Sequence, residues 1–241
     1  MGRPEKPVDR TVPERGKLAD FLRERRSRAG LTYAQLSKLA TGIRSKATLE
    51  RAASGSSVPA WETVSLFINL TLTQEEMAAS AVGPAFTRGL ELWIRARRAT
   101  RAPFYVHKAP DPDLISTKAD LLRGLRRQHV WAGYPTPGEM ERMSGAGELP
   151  CSTTRRVIKG EILPVDPRQT IAFLKACYVV RPTDLEPWLA AATRTHHGAE
   201  GEWLRAYQKV LAQIQKSTQE EILVGIPVVT LDVEGYEAMA A

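Results

Sequence analysis

The side chains best placed for chemistry in this sequence are cations at helical spacing. Around 45–54, Leu49, Ala52 and Ala53 form an apolar stripe that leaves Ser45, Lys46, Ala47, Glu50 and Arg51 outside it. Around 150–159, Thr154, Val157 and Ile158 do the same and leave Cys151, Ser152, Arg155, Arg156 and Lys159 outside. A guanidinium fork matches the two acceptors of guanine or the oxygens of a phosphate, and an ammonium suits a phosphate as a point charge. Glu50 can accept from the cytosine amino group or pair with a neighbouring cation. Cys151 opens its helix, a place where thiolates are stabilised, although a plain packing position is the simpler reading. No serine-histidine-aspartate set, phosphate-binding glycine loop or paired catalytic carboxylates can be traced, so no catalytic residue and no enzyme is expected. Cys151 and Cys177 form no C-x-x-C pair, and the adjacent His196 and His197 diverge on a helix. No metal and no cofactor is expected.

Charge narrows the class of partner. The 241 residues carry a net charge of +7, but from Ala199 onward seven acidic residues face three basic ones. The rest holds 31 basic and 20 acidic residues, a basic body that attracts polyanions. Apolar runs are short and broken by charge; 60–72 contains Glu62 and Asn69. No membrane span or signal segment is expected, and a cytoplasmic protein follows.

Positioning those cations requires helices, and the chain supplies them twice. Ala19-Asp20-Phe21-Leu22-Arg23 returns as Ala119-Asp120-Leu121-Leu122-Arg123. Thr32 with Leu36 and Leu39 returns as Thr136 with Met140 and Met143, Gly55 as Gly160, and Thr63-Val64 with Phe67 as Thr170-Ile171 with Leu174. Thr32 and Thr136 read as helix N-caps, the latter followed by Pro137 at the first helical position. In each unit a first helix leads to a short second helix, a turn and a third, with the turn longer in the second unit (144–149). A fourth helix follows at 60–70 and again at 168–179, and a fifth opens on a Thr73–Glu76 capping box and again at 184–194. The expected class is all-α: a flexible arm at 1–14, one unit at 15–98, a linker at 99–113, a second unit at 114–195, and a C-terminal helix with a short extended tail at 196–241. Trp61, Trp93, Trp131, Trp188 and Trp203 read as core or interface residues. The arginine runs 23–28 and 95–101 fit either a phosphate contact or ordinary solvated surface.

The segment Gly30-Leu31-Thr32-Tyr33-Ala34-Gln35-Leu36-Ser37, then Ser45-Lys46-Ala47-Thr48-Leu49 and Gly55, resembles phage-repressor-type, or lambda-repressor-like, helix-turn-helix regulators of the xenobiotic-response-element family. Gly2-Arg3-Pro4-Glu5-Lys6-Pro7 is similar to the start of its actinobacterial branch, and Leu149-Pro150-Cys151-Ser152-Thr153 with Phe173-Leu174-Lys175-Ala176-Cys177 resembles that branch again. The resemblance implies two tandem helix-turn-helix bundles and a sequence-specific regulator of transcription that binds double-stranded DNA. Its contacts would come from Thr32, Tyr33, Ser45, Lys46, Ala47, Glu50 and Arg51, and from Thr136, Cys151, Ser152, Arg155, Arg156 and Lys159. Tyr33 stands where the family often carries glutamine. The C-terminal region is a candidate homodimer contact. A protein-interaction adaptor that keeps this fold, and a plasmid or phage DNA-maintenance protein, are the alternatives.

Overall fold

The computed structural model describes residues 5–78, 82–145 and 147–196, together with 201, 203–205, 208, 209, 211 and 212. Among them all regular structure is helical, as the periodicity predicts. The chain forms two compact units. One comprises Met1–Ala109 with His129–Pro135, the other Pro110–Gln128 with Thr136–Ala241.

The first unit begins its helices at Pro13, whose fixed φ and missing N–H suit a first turn. Helix α1 (Pro13–Arg28) carries Glu14 at its start and Arg25, Arg26 and Arg28 at its end, the polarity that the helix dipole favours. Helices α2 (Tyr33–Leu39) and α3 (Lys46–Ala52) follow, then α4 (Trp61–Leu70), α5 (Gln74–Ala78) and α6 (Val82–Arg101). Leu18, Leu22, Leu36, Leu49, Val64, Phe67 and Ile68 close the core. Helices α1 and α4 pack on α6, while α2, α3 and α4 pack on one another. Gly83 and Pro84 lie in the first turn of α6, where proline is tolerated.

Arg25, read from sequence as surface, is buried. Its two Nη atoms donate to the Glu76 carboxylate at 2.9 and 2.8 Å, and Nη2 and Nε reach Thr71 O and Oγ1. Glu76 also accepts from the Thr73 N–H at 3.0 Å, which makes the predicted capping box. Hydrogen bonding from Arg25 holds the Glu76 carboxyl below its ordinary value, outweighing desolvation. A depressed folded-state value gives stability that is present above the unfolded value and lost as pH falls through the folded one. Wild-type protein should therefore melt higher than Glu76→Gln at neutral pH. The gap should shrink below about pH 4.5 and vanish in stronger acid. A gap independent of pH in thermal melts would refute the tie.

The arm is shorter than expected, and its described part is held in place. Asp9 N–H donates to Ser54 O at 2.8 Å, Arg15 reaches Ser56 O at 3.0 Å, and Arg10 pairs with Asp20 at 2.9 Å. The bonds to Ser54 and Ser56 join groups more than forty residues apart, which local pattern cannot reveal.

In the second unit a single 3₁₀ turn (Pro112–Leu114) precedes α7 (Lys118–Trp131), α8 (Pro137–Ser144), α9 (Cys151–Lys159), α10 (Pro167–Ala176) and α11 (Pro182–Thr195). Thr136 makes its predicted cap: its Oγ1 accepts from Glu139 N–H at 3.2 Å, and the Glu139 carboxylate accepts from Thr136 N–H at 2.6 Å. Leu121, Leu125, Met140, Leu149, Val157, Phe173 and Leu174 fill the core, with α8 packed on α9 and α10. Cys177 is buried, and burial pushes its thiol far above the ordinary range.

Several expected boundaries move. Helix α6 runs three residues past 98, so the linker starts at 102. Residues 129–135 group with the first unit, not with the rest of 114–195. There the Arg98 guanidinium lies 3.7 Å over the Trp131 ring, and Arg101 donates to the Tyr134 carbonyl. Residues 40–45 separate α2 from α3, and 145–150 separate α8 from α9, so the second turn is not longer than the first. What differs is α8, at eight residues against seven in α2. Trp93, Trp188 and Trp203 are buried, Trp203 stacking on His196 with ring centroids 4.4 Å apart. Most of the expected C-terminal helix and tail at 196–241, the candidate homodimer contact, lies outside the described residues.

Candidate nucleic-acid interface

Helix α3 is built to show one face. Ser45 caps it, accepting from Thr48 N–H at 3.2 Å. Leu49 and Ala52 are buried, as is Ala53 just beyond, so the anticipated stripe is inside. Ser45, Lys46, Ala47, Glu50 and Arg51 are all exposed. Lys46 and Glu50 stand 3.7 Å apart, a loose pair between exposed side chains that adds little stability. Arg51 meets no carboxylate among the described residues, and its guanidinium is available to a ligand.

The turn ahead of α3 is fixed by side chains that the sequence reading did not single out. Ser37 Oγ donates to Arg44 O at 3.1 Å, and Arg44 Nε donates to Thr63 Oγ1 at 3.0 Å. Thr41 holds a φ of 47°, a left-handed value that is costly for a β-branched residue. These bonds set the angle at which α3 leaves α2.

Thr32 and Tyr33 divide. Thr32 is exposed, and its side chain completes a capping box with Gln35. Tyr33 is buried, so its ring is a core contact. The ring meets Phe67 edge-on at 6.4 Å and lies 4.5 Å beneath the Arg26 guanidinium. Its hydroxyl donates to Glu5 at 2.5 Å. Burial first, and the Glu5 carboxylate second, push the phenol up to about 12.

Helix α9 follows the same plan with more charge. Thr154 and Val157 are buried and Ile158 is half-buried, while Ser152, Arg155, Arg156 and Lys159 are exposed. Arg156 and Lys159 both face Glu161, at 3.6 and 3.8 Å. Arg155 meets no carboxylate among the described residues. Thr136 is exposed at the start of α8, and Cys151 is half-buried at the start of α9. Desolvation, and then Glu141, raise the Cys151 thiol above its ordinary value.

The two arginine runs turn out to be largely structural. Arg23 bonds Ala53 O and Lys6 O, both at 2.8 Å, and Arg97 and Arg98 are buried against the Trp93 and Trp131 rings. Arg28 alone of the first run keeps an exposed tip, paired with Glu24. Among the described residues no cluster of histidine, cysteine and carboxylate could hold a metal, and no helix is long and apolar enough to cross a membrane.

No curated protein and no solved structure matches the chain. A family match is found for residues 17–81, which are similar to the family described as helix-turn-helix domain; the matched stretch runs from within α1 past α5 and contains the α2–turn–α3 pair.

Proposed function

We propose that this chain is a sequence-specific, double-stranded DNA-binding regulator of transcription, of the phage-repressor-like kind, with α3 and α9 as recognition helices of two tandem units. The observation that carries it is α3. Within the matched residues 17–81, a short capped helix is anchored by Leu49 and Ala52 and presents Lys46, Ala47, Glu50 and Arg51 outward. A helix of this size fits a major groove about 12 Å wide, and the helix before it crosses the phosphate backbone. The paired capping boxes at Thr32 and Thr136, and the outward Ser152, Arg155, Arg156 and Lys159 on α9, support a second, unlike reading head. Two different heads in one chain favour an asymmetric site. On this reading the protein acts in the cytoplasm at the nucleoid, without catalysis, cofactor or metal, and the C-terminal region joins two copies.

The test is selection of bound duplexes from a random library, followed by titration of the selected site through a salt series. Base readout yields an enriched motif, and phosphate neutralisation yields an affinity that falls steeply with salt. A salt-dependent protein that enriches nothing would leave only non-specific binding, and one with neither property would end the DNA reading.

A further inference from the structure

At the start of α2 a carboxylate of the chain itself meets two donors, the Tyr33 hydroxyl and Arg26, and the positive charge of Arg23. Glu5 Oε1 accepts from the Tyr33 hydroxyl at 2.5 Å and lies 3.0 Å from Arg23 Nε, while Oε2 accepts from Arg26 Nη2 at 2.9 Å. The two arginines keep other bonds besides that carboxylate, although Arg23 also holds Lys6 O of the arm itself. Arg26 Nη1 is tied to Leu31 O at 3.1 Å, and its guanidinium lies over the Tyr33 ring. Arg23 is tied to Ala53 O, the residue that ends α3. The Arg26 Nε is buried with no partner among the described residues, a spare donor that Glu5 does not use.

Two guanidinium groups and a phenol make a preorganised seat for an oxyanion. A carboxylate fills it with two oxygens; a phosphate would fill it with more. Glu5 is about one-third exposed, so the seat can be reached from solvent. It also lies beside the start of α2, the helix of the pair that crosses the backbone when such a pair docks on a duplex. A tethered carboxylate competes there at an effective concentration on the order of millimolar.

We propose that Arg23, Arg26 and Tyr33 form an oxyanion seat which the chain closes with its own Glu5, and that a DNA backbone phosphate displaces Glu5 on binding. The arm is thus an intramolecular competitor that lowers affinity until a duplex is engaged. This rests on the DNA reading above, whereas the seat itself requires only an oxyanion.

The experiment uses the full chain as wild type, Glu5→Gln and Glu5→Gln/Arg26→Gln. Glutamine keeps an acceptor for Tyr33 and removes the charge. Binding to a random-sequence duplex is measured through a salt series, and melting temperature is measured in inorganic phosphate against chloride at equal ionic strength. Glu5→Gln should bind the duplex about three- to tenfold tighter, with a salt slope steeper by about one, and the added Arg26→Gln should remove both gains. Unchanged affinity and slope in Glu5→Gln, with a wild type that does bind, would overturn displacement by DNA. If no form binds duplex, the DNA reading fails and the phosphate arm decides. Phosphate stabilising Glu5→Gln, but neither wild type nor the double variant, would keep the seat with a free oxyanion as its ligand. No stabilisation would overturn the seat as well.

Discussion

Gly55→Ala is expected to lower the stability of the first unit by about 2–4 kcal/mol, or about 10–20 °C in its melting temperature. Two costs combine at this position. Its φ of +78° is a left-handed value that costs an L-residue about 1–2 kcal/mol. A β-carbon there would also stand 2.4 Å from the Asp9 carbonyl oxygen and 3.1 Å from Val8, so the arm must move. Moving it breaks the Asp9 N–H to Ser54 O bond, worth about 0.5–1.5 kcal/mol net. Gly42→Ala provides the control. Gly42 has a φ of +81° and nothing within 4 Å of the added carbon, so it loses the torsional part only. Calorimetric melts should therefore place Gly55→Ala well below Gly42→Ala. Equal losses would mean that the arm does not rest against the end of α3.

Arg51→Ala and Arg155→Ala should each weaken binding to the selected duplex by about 1–3 kcal/mol, roughly 5- to 150-fold, and relax the preference at one position of the site. Both side chains are exposed on their helices without a carboxylate partner among the described residues, so truncation removes no internal ion pair and should leave the melting temperature nearly unchanged. Lys46→Ala should behave differently, weakening all duplexes alike and reducing the salt slope by about one. The comparison of the two arginines also tests whether both units dock. If Arg51→Ala costs affinity and Arg155→Ala does not, α9 is no recognition helix, and the proposal shrinks to one reading head.

Much of the fold was legible because it is local. Thr32 and Thr136 cap helices through bonds to residues three positions on, and Leu49, Ala52, Thr154 and Val157 fall inward by a period of 3.6. The exposed faces of α3 and α9 follow from the same period. Elements whose meaning depends on remote partners were not legible. The run Arg23–Arg28 looked like one solvated patch, yet Arg25 is buried against Glu76, 51 residues away. Arg97 and Arg98 fitted either a phosphate contact or solvated surface and are buried on tryptophan rings. The charged, proline-bearing arm looked free. Its Glu5 was visible only as part of a family-like opening, because its partners lie 18 to 28 residues downstream.

By itself the sequence determined the helices, their caps and the polar face each short helix can offer, since these depend on neighbours within a turn or two. Only the tertiary structure decided which cations are spent inside. It assigned Arg23, Arg25, Arg26, Arg97 and Arg98 to internal partners and left Arg51 and Arg155 facing out. The physical reason is that a charge can be taken from water only where another part of the chain supplies a counter-charge, a carbonyl or an aromatic face. Where those groups meet is set by packing across the whole unit.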